Sequence, residues 1–331
     1  MKVLFIGGTG NISTSCSLLA LKKGIDLYHL NRGITKEEIP SAISIKADIH
    51  NKEETLKAVR DYDFDVIVDW IAYVLDDVKR DYEIFKGKVK QFIFISSASA
   101  YQKPPTDPRI TESTPLANPI WEYSQNKIAC EDYLIQKYRE EGFPMTIVRP
   151  SHTYRNVFPI AVGDRRGYWL IDRIKHGKKI IVHGDGTSLW VLTHSEDFAK
   201  GFVGLLGNIH AIGHAFHITS DELLTWNQIY NIIADAVGMK ANLIHIPSDF
   251  IMKYDSETGT CLWGDKAYSV IFDNTKIKTF VPEFKATIPF AKGIKKVLDW
   301  FDEDETRRKI DPKDDEYMDN LINAYLQLKD M

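Results

Sequence analysis

Short apolar runs alternate with longer amphipathic segments over about the first 150 residues of the chain. The runs are rich in β-branched and aromatic residues, and they are apolar throughout, which is typical of strands buried on both faces. The amphipathic segments between them supply the crossover helices that parallel strands require. The sequence therefore predicts an α/β fold with a doubly wound parallel sheet, with strands at Val3–Ile6, Leu27–Leu30, Ile43–Ile45, Val66–Val68, Phe92–Ile95 and Thr146–Val148.

A glycine-rich turn follows the first predicted strand and opens a helix. Glycines permit a tight turn and close approach of the backbone to a ligand, and the helix N-terminus offers free N–H groups and partial positive charge to a phosphate. This context is that of a dinucleotide fingerprint, with Ser13 in place of the usual third small residue. A glycine turn without a ligand is the alternative. We expect a dinucleotide pyrophosphate to be held by Gly7, Gly8, Thr9, Gly10, Asn11 and Ile12.

The end of the second predicted strand bears on the choice of cofactor. NAD-specific sites usually carry an acid here, whereas this chain reads Asn31-Arg32. An arginine can bind a 2′-phosphate in a bidentate way, so we expect NADP(H) in preference to NAD(H), with a solvated loop arginine as the alternative. Ligands of such sheets bind at the carboxyl ends of strands. Asp48, after the third strand, is thus a candidate for the adenine amino group or a helix cap, and Trp70, after the fourth, also belongs to the predicted cofactor site.

A serine, a tyrosine and a lysine form the predicted catalytic group. A lysine four residues after a tyrosine lies on the same helical face and lowers the pKa of the phenol, and Tyr123 and Lys127 have this spacing. The spacing also occurs at Tyr82, Tyr133 and Tyr325, but Tyr123 alone follows a strand that ends in hydroxyl residues. Of these, we expect Ser97 to hold the substrate oxygen, with Ser99 as a further substrate candidate.

Together, the GGTGNIS, SSASAY and YSQNK segments resemble the extended short-chain dehydrogenase/reductases, the NAD-dependent epimerase/dehydratase group. The resemblance spans most of the chain and is strongest up to about residue 155. It implies that Tyr123 is the acid/base, that Lys127 lowers its pKa and binds the nicotinamide ribose, and that Ser97 polarises the substrate oxygen. It also implies that Pro150 and His152 lie against the nicotinamide.

Two positions depart from the pattern of the nucleotide-sugar epimerases in this family. Trp190 stands where they carry an arginine for the substrate diphosphate, and Ser151-His152-Thr153 replaces a segment with an asparagine. A diphosphate needs a cationic partner, so we expect either a different substrate or a cation supplied by Arg165, Arg166 or Lys200. Trp190 is a candidate for stacking on a sugar ring, with a core tryptophan as the alternative.

The second half of the chain has a looser pattern. Helices are predicted near 165–176, 195–207 and 226–237, and short strands near 179–182, 214–218 and 242–246. We expect an NAD(P)-binding Rossmann domain at 1–155, and at 156–331 a mainly substrate-binding α/β region that can return strands to the sheet. The tail helix carries an apolar face that we expect to dock on its own domain, with a homodimer contact as the alternative; this face consists of Tyr317, Leu321, Tyr325 and Leu328.

Composition narrows the classes of partner. The net charge of −4 gives no basic field for nucleic acid, and no apolar stretch approaches the roughly 18 residues of a membrane span. Cys16, Cys130 and Cys261 have no CxxC spacing, and His214 and His217 fall on opposite faces of a strand, so we predict no disulfide and no metal.

We therefore expect a cytoplasmic oxidoreductase that transfers a hydride to or from a small sugar-like or other carbinol or carbonyl substrate. The choice between epimerisation, dehydration and net reduction stays open. The alternative is a non-catalytic dinucleotide-binding protein with a regulatory or RNA-binding role, since chloroplast stem-loop RNA-binding proteins look similar in their N-terminal halves.

Overall fold

The computed structural model describes residues 1–34 and 39–329, and only the backbone of Lys329. In chain order the strands are β1 (Lys2–Ile6), β2 (Asp26–Asn31), β3 (Ile43–Lys46), β4 (Phe64–Asp69), β5 (Val89–Ile95), β6 (Arg109–Ile110), β7 (Met145–Pro150), β8 (His152–Tyr154), β9 (Ile180–His183), β10 (Leu189–Trp190), β11 (Leu192–His194), β12 (Ala215–Ile218), β13 (Leu224–Thr225), β14 (Leu243–Ile246) and β15 (Ile271–Phe272).

The helices connect these strands. They are α1 (Ser13–Lys22), α2 (Lys52–Val59), α3 (Leu75–Phe85), α4 (Glu122–Glu141), α5 (Trp169–Lys175), α6 (Ser195–Leu205), α7 (Trp226–Ala236), α8 (Ser248–Tyr254), α9 (Ser256–Cys261), α10 (Thr275–Phe280), α11 (Phe290–Asp302) and α12 (Pro312–Lys329). A π-helical turn, Leu262–Lys266, continues from α9.

The central sheet is parallel throughout, in the order β3-β2-β1-β4-β5-β7-β12. All six predicted strands belong to it, so the predicted doubly wound Rossmann sheet is confirmed. The seventh strand, β12, comes from the second half of the chain and pairs with β7. The strand order reverses between β1 and β4, which is where sheets of this kind leave a crevice for a ligand.

Both faces of the sheet are covered, which explains why its strands are apolar throughout. In β1, Val3 and Phe5 pack toward α1 and α6, while Leu4 and Ile6 pack in a separate cluster with residues of α3 and α4. Alternate side chains of a strand point to opposite faces, so a strand with helices on both sides needs apolar residues at every position.

A third apolar cluster forms the smaller C-terminal α/β part. The helix predictions near 165–176, 195–207 and 226–237 correspond to α5, α6 and α7. Small strand pairs complete this part: β9 with β14, β8 with β11, β10 with β13, and β6 with β15.

The C-terminal helix α12 docks on its own chain. Met318 and Leu321 are fully buried, and Arg173 donates to Asp315 and Asp319 on this helix, at 2.5 Å each. Tyr317 and Tyr325 also pack against the third cluster. The prediction was wrong for Leu328, which is 57% exposed because it lies beyond the part of the helix that the core covers.

No helix in the described part of the chain has the length and apolarity to cross a membrane. Within the same residues, no group of three or more His, Cys, Asp or Glu side chains is arranged to hold a metal ion.

Candidate active site

A cleft of about 1390 Å³ opens at the carboxyl edge of the sheet. It is bordered by the loops after β1, β4, β5 and β7 and by the start of α4, because the carboxyl ends of parallel strands meet at one edge. Most of the predicted site residues line it: Gly7, Gly8, Thr9, Gly10, Asn11, Ile12, Trp70, Ser97, Ser99, Tyr123, Lys127, Pro150 and His152. The lining does not include Asn31, Arg32, Asp48 or Trp190.

The turn after β1 depends on glycine for two separate reasons. Gly7 and Gly8 have φ of +93° and +113°, which side-chain-bearing residues rarely adopt. In addition, a Cβ on Gly8 would lie 2.7 Å from Nε2 of His29, well inside van der Waals contact. The hydroxyl of Ser17 lies 3.0 Å from both His29 Nε2 and the Gly8 carbonyl oxygen, which ties the turn to β2. Burial lowers the pKa of His29 to about 4, so the ring is neutral at physiological pH.

The start of α1 has the features of a phosphate site. Its N-cap residue, Ile12, makes no side-chain capping bond, and its first turn contains no acidic residue to compete with an anion. Beside it, Asn11 donates through Nδ2 to the Thr153 carbonyl at 2.9 Å, while its buried Oδ1 has no partner in the described structure. The buried indole N–H of Trp70 likewise lacks a partner there. These polar atoms and the glycine turn fit a bound dinucleotide.

Ser97 and Tyr123 meet in the middle of the cleft. Tyr123 is the second residue of α4, and its phenol hydrogen-bonds the Ser97 side chain. The Ser97 hydroxyl lies 2.9 Å from that of Ser99, which accepts from the hydroxyl of Ser124 at 2.8 Å. This chain of hydroxyls orients Ser97 toward the cleft, and it joins the end of β5 to the first turn of α4.

Lys127 lies one helical turn after Tyr123, and its ammonium is anchored on the sheet edge. Its Nζ donates to the carbonyls of Ala72 at 2.6 Å and Ile95 at 2.9 Å. An ammonium has three N–H donors, so one is left for the cleft. The Nζ lies 5.9 Å from the centroid of the Tyr123 ring.

Burial shifts the pKa values of both Tyr123 and Lys127. Burial raises the pKa of the Tyr123 phenol above its usual value, and the hydrogen bond with Ser97 offsets this only in part. Burial also lowers the pKa of Lys127 itself. The lowering of the Tyr123 pKa by Lys127 stays a prediction.

The residues that were predicted to contact the adenosine half of the cofactor do not line the cleft. Arg32 is exposed, and Asn31 accepts from the Gly33 N–H at 3.0 Å. Asp48 accepts from the His50 N–H at 3.0 Å, so its carboxylate organises the turn before α2. The side chain that caps α2 is that of Asn51, so the helix-capping alternative for Asp48 is wrong. The role of Arg32 stays a prediction.

Trp190 does not face the cleft, so the stacking candidate was misplaced. It is 1% exposed and stacks on Trp226, with ring centroids 5.5 Å apart. Its indole N–H donates to Nδ1 of His152 at 3.1 Å, so it lies behind a cleft residue. Trp190 is therefore a core tryptophan, which was the alternative prediction. The pairing of β10 with β13 places it inside the third apolar cluster.

Of the three cations considered for a substrate anion, Arg165 is the one in the cleft. Arg166 borders a separate, smaller cavity, and Lys200 is engaged by Asp197 at 2.5 Å and by Thr287 at 2.7 Å. Arg165 reaches His152, with Nη1 3.2 Å from Nε2.

Sequence reasoning missed a wall of the cleft that comes from the C-terminal half. The tail helix was expected to dock, but its first turns also face the cleft, beside α9. The Tyr317 hydroxyl donates to Asp255 at 2.7 Å and so joins the two elements. No local pattern marks these residues, which are Glu257, Thr258, Cys261, Asp265, Lys266, Lys313, Asp314 and Tyr317.

The parallel sheet, the glycine turn at its switch point and the cleft above them define a Rossmann-fold dinucleotide-binding protein. Residues 82–232 match the family model Epimerase, the NAD dependent epimerase/dehydratase family. This match confirms the resemblance read from the motifs of the chain. The chain is accordingly an enzyme of the NAD(P)-dependent epimerase, dehydratase or reductase type.

Two relatives illustrate the range of this similarity. The chain is 28% identical over 267 residues to the chloroplast stem-loop binding protein of 41 kDa b of Arabidopsis thaliana, covering 75% of this chain and 67% of that protein. It is 22% identical over 287 residues to the 2′-dehydrokanamycin reductase of Streptomyces kanamyceticus, covering 86% of this chain and 80% of the reductase.

A solved structure supports the fold. The dTDP-glucose 4,6-dehydratase of Bacillus anthracis, determined in complex with NAD, superposes with a TM-score of 0.72 at 18% identity, over 92% of this chain and 98% of the dehydratase.

Proposed function

We propose that this enzyme is an NAD(P)(H)-dependent oxidoreductase of the epimerase/dehydratase type, with Tyr123 as the acid/base for a sugar-like or other carbinol or carbonyl substrate. One observation carries the proposal: the hydroxyls of Ser97 and Tyr123 meet in the cleft that the glycine turn borders, with the Lys127 ammonium beside them. The names of relatives such as 2′-dehydrokanamycin reductase and dTDP-glucose 4,6-dehydratase support a sugar-like substrate.

The residues of the turn and of α1 would hold the cofactor. The backbone of Gly7, Gly8 and Gly10 and the uncapped start of α1 would take the pyrophosphate, with Asn11 Oδ1 and the Trp70 indole N–H as further polar contacts. When bound, a nicotinamide dinucleotide supplies a hydride donor or acceptor for the substrate carbon. Pro150 and His152 border the same cleft.

The protein's own residues handle the proton. Ser97, held by the hydroxyl of Ser99, donates a hydrogen bond to the substrate oxygen and brings it to the Tyr123 phenol. Tyr123 then gives a proton to a carbonyl oxygen that becomes a hydroxyl, or takes one from a hydroxyl that becomes a carbonyl. Lys127 stabilises the phenolate that forms in the first case and is required in the second, because its positive charge is fixed nearby on the sheet edge.

A positively charged surface beside β2 supports NADP(H) over NAD(H). Arg32 is exposed at the end of β2, and Lys46, in register with Asn31 on β3, is exposed as well. The Lys46 side chain extends along the Arg32-Gly33 loop, since a Cβ on Gly33 would lie 3.6 Å from its Cε. No acidic residue stands at Asn31 or Arg32 to repel a 2′-phosphate.

The test compares two tyrosines of one helix that both precede a lysine by four residues. Tyr123→Phe should lower kcat by about a hundredfold or more, the usual contribution of a general acid/base, with NADPH binding retained. Tyr133→Phe is the matched control, because Tyr133 packs on Tyr82 at a distance from the cleft. Wild type and both variants are assayed with NADPH or NADH against a panel of keto sugars and sugar alcohols. Equal activity of Tyr123→Phe and wild type would remove the assigned role.

The similarity to the stem-loop binding protein supports a second candidate, an RNA-binding role on the same scaffold. Gel-shift titration of a stem-loop RNA at near-physiological salt tests it. With a net charge of −4 we expect no shift below micromolar protein concentrations, and a tight, specific shift would favour this candidate. The predicted cytoplasmic location and homodimer stay predictions.

A further inference from the structure

The hydrogen bond between Trp190 and His152 determines which nitrogen of the imidazole carries a proton. The indole N–H of Trp190 lies 3.1 Å from Nδ1 of His152, and Nη1 of Arg165 lies near Nε2; both neighbours can only donate. Trp190 is 1% exposed, so its N–H would be buried without an acceptor if Nδ1 carried the proton, whereas Arg165 is exposed and can donate to water. Nδ1 is therefore the acceptor for Trp190. His152 is 7% exposed, and burial together with the charges of Arg165 and Lys266 holds its pKa well below the usual value. The ring is therefore neutral, and its single proton lies on Nε2.

That proton faces another donor. Nη1 of Arg165 lies 3.2 Å from Nε2 of His152, and a guanidinium has five N–H donors and no acceptor. The two groups cannot hydrogen-bond each other in this tautomer. Both groups border the cleft, and an oxygen with free lone pairs that came between them would accept a hydrogen bond from each.

We propose that His152 and Arg165 form a subsite for an anionic group of the substrate, a carboxylate or a phosphate. Trp190 acts behind it as a positioning residue, since its indole N–H keeps the His152 proton on Nε2. The proposal rests on the proposed function in one respect: it takes the occupant of the cleft to be a substrate of Tyr123.

The charges that surround the subsite are mixed: the cleft is bordered by the cations Lys127, Arg165, Lys266 and Lys313 and by the acids Asp164, Glu257, Asp265 and Asp314. Arg165 borders the same cleft as Tyr123, and its charge lowers the pKa of the phenol, although burial outweighs this effect. Among the acids that border the cleft, Asp265 is opposed by Lys103 at 3.8 Å and by Lys266 at 3.7 Å. Asp164 accepts from the Arg166 N–H at 3.3 Å.

The experiment measures binding and does not depend on turnover. Calorimetry with the protein saturated with NADP⁺ compares glucose 6-phosphate and glucuronate with glucose, which separates phosphate, carboxylate and neutral ligand. We expect at least one anionic sugar to bind more tightly than glucose, and Arg165→Gln to weaken it about tenfold or more. Arg166→Gln is the matched control, because Arg166 is exposed and borders a different cavity. It should leave the affinity for the anionic sugar unchanged.

Trp190→Phe tests the positioning role. Without the indole N–H, the imidazole proton can move to Nδ1, and Nε2 can then accept from Arg165. We expect weaker binding of the anionic sugar with unchanged binding of glucose. In ¹⁵N-labelled wild-type protein, the His152 imidazole should carry its proton on Nε2, and in Trp190→Phe this population should fall.

The same titrations are repeated on the protein without NADP⁺. Three outcomes would overturn the subsite: glucose binding as tightly as both anions, anion binding that Arg165→Gln leaves unchanged, or anion binding to the cofactor-free protein that is lost when NADP⁺ saturates the cleft. The last would assign the two donors to the cofactor. The same titrations on Tyr123→Phe keep the two proposals apart, because anion binding there does not require proton transfer. If Tyr123→Phe retained full activity, the proposed function would fail while the binding result would stand.

Discussion

The Lys127 ammonium lies 5.9 Å from the centre of the Tyr123 ring while it donates to the carbonyls of Ala72 and Ile95. The Ala72 carbonyl lies in the loop after β4, and the Ile95 carbonyl lies at the end of β5, the neighbouring strand. One lysine thus fixes the start of α4 against the sheet and places a positive charge near the phenol. The consequences of this arrangement can be measured.

Replacing Lys127 by methionine should move the pH dependence of substrate oxidation. Burial already raises the pKa of Tyr123, and removal of a nearby positive charge raises it further, so the rate should increase only at higher pH. At this separation and an effective dielectric constant of about 20, the displacement is on the order of one to two pH units. The measurement is a pH–rate profile from pH 6 to about 11, with Lys137→Met as the control. An unmoved profile would contradict the electrostatic role.

Alanine at Gly8 should impair both stability and cofactor binding. The change adds strain at a φ of +113° and a Cβ 2.7 Å from the His29 ring, so we expect a loss of about 2–4 kcal/mol in the free energy of unfolding. Gly24→Ala separates the two causes, because Gly24 also has positive φ, +74°, but no atom within 4 Å of an added Cβ. Urea unfolding and NADPH titration report the effects. Similar losses in the two variants would show that the contact with His29 is unimportant.

Alanine at Arg32 should weaken NADPH binding about tenfold or more and leave NADH binding unchanged. The arginine contacts the 2′-phosphate in the proposed complex, and a lost hydrogen bond between charged groups costs about 1.5–3 kcal/mol. Fluorescence titration with each dinucleotide gives the ratio of the two dissociation constants. NADH serves as the internal control, and an equal effect on both cofactors would count against the proposed preference.

Acid should destabilise the protein through His29. Its pKa is about 4 in the fold and about 6.5 in the unfolded chain, so below pH 6.5 the unfolded state binds the extra proton. Stability is therefore lost as pH falls from about 6.5 and stops changing below about 4. Between pH 7 and 5 the loss from this residue is on the order of 2 kcal/mol.

Urea unfolding at the two pH values measures that loss. His29→Gln should narrow the difference between pH 7 and pH 5 relative to wild type, whereas His210→Gln, at an exposed position, should not. A difference that is the same in all three proteins would mean that other groups are responsible for the acid sensitivity.

Much of the cofactor half could be predicted because its signals are local. Strands buried on both faces must be apolar at every position. A tight turn from a strand into a helix needs glycine where φ is positive or where the backbone closely approaches a neighbour. The relation between Tyr123 and Lys127 is equally local, because four residues make one helical turn. The hydroxyl run that ends β5 is adjacent to this helix whenever the parallel sheet forms. The family resemblance rests on the same segments.

The substrate half could not be predicted to the same depth, because its residues meet across long separations in the chain. The pairing of β10 with β13 decides that Trp190 is buried, and the docking of α12 decides that Tyr317 faces the cleft. The pKa of Tyr123 is also a tertiary property, since it follows from burial more than from the lysine four residues away.

The sequence by itself determined the Rossmann sheet, the glycine turn and the grouping of Ser97 with Tyr123 and Lys127, because apolar periodicity, backbone conformation and helical spacing are written in neighbouring residues. Only the tertiary structure decided that Arg165, and neither Arg166 nor Lys200, reaches the cleft, and that Trp190 lies behind His152. Burial and charge around a side chain depend on which distant segments pack on it, and the chain's local pattern does not contain that information.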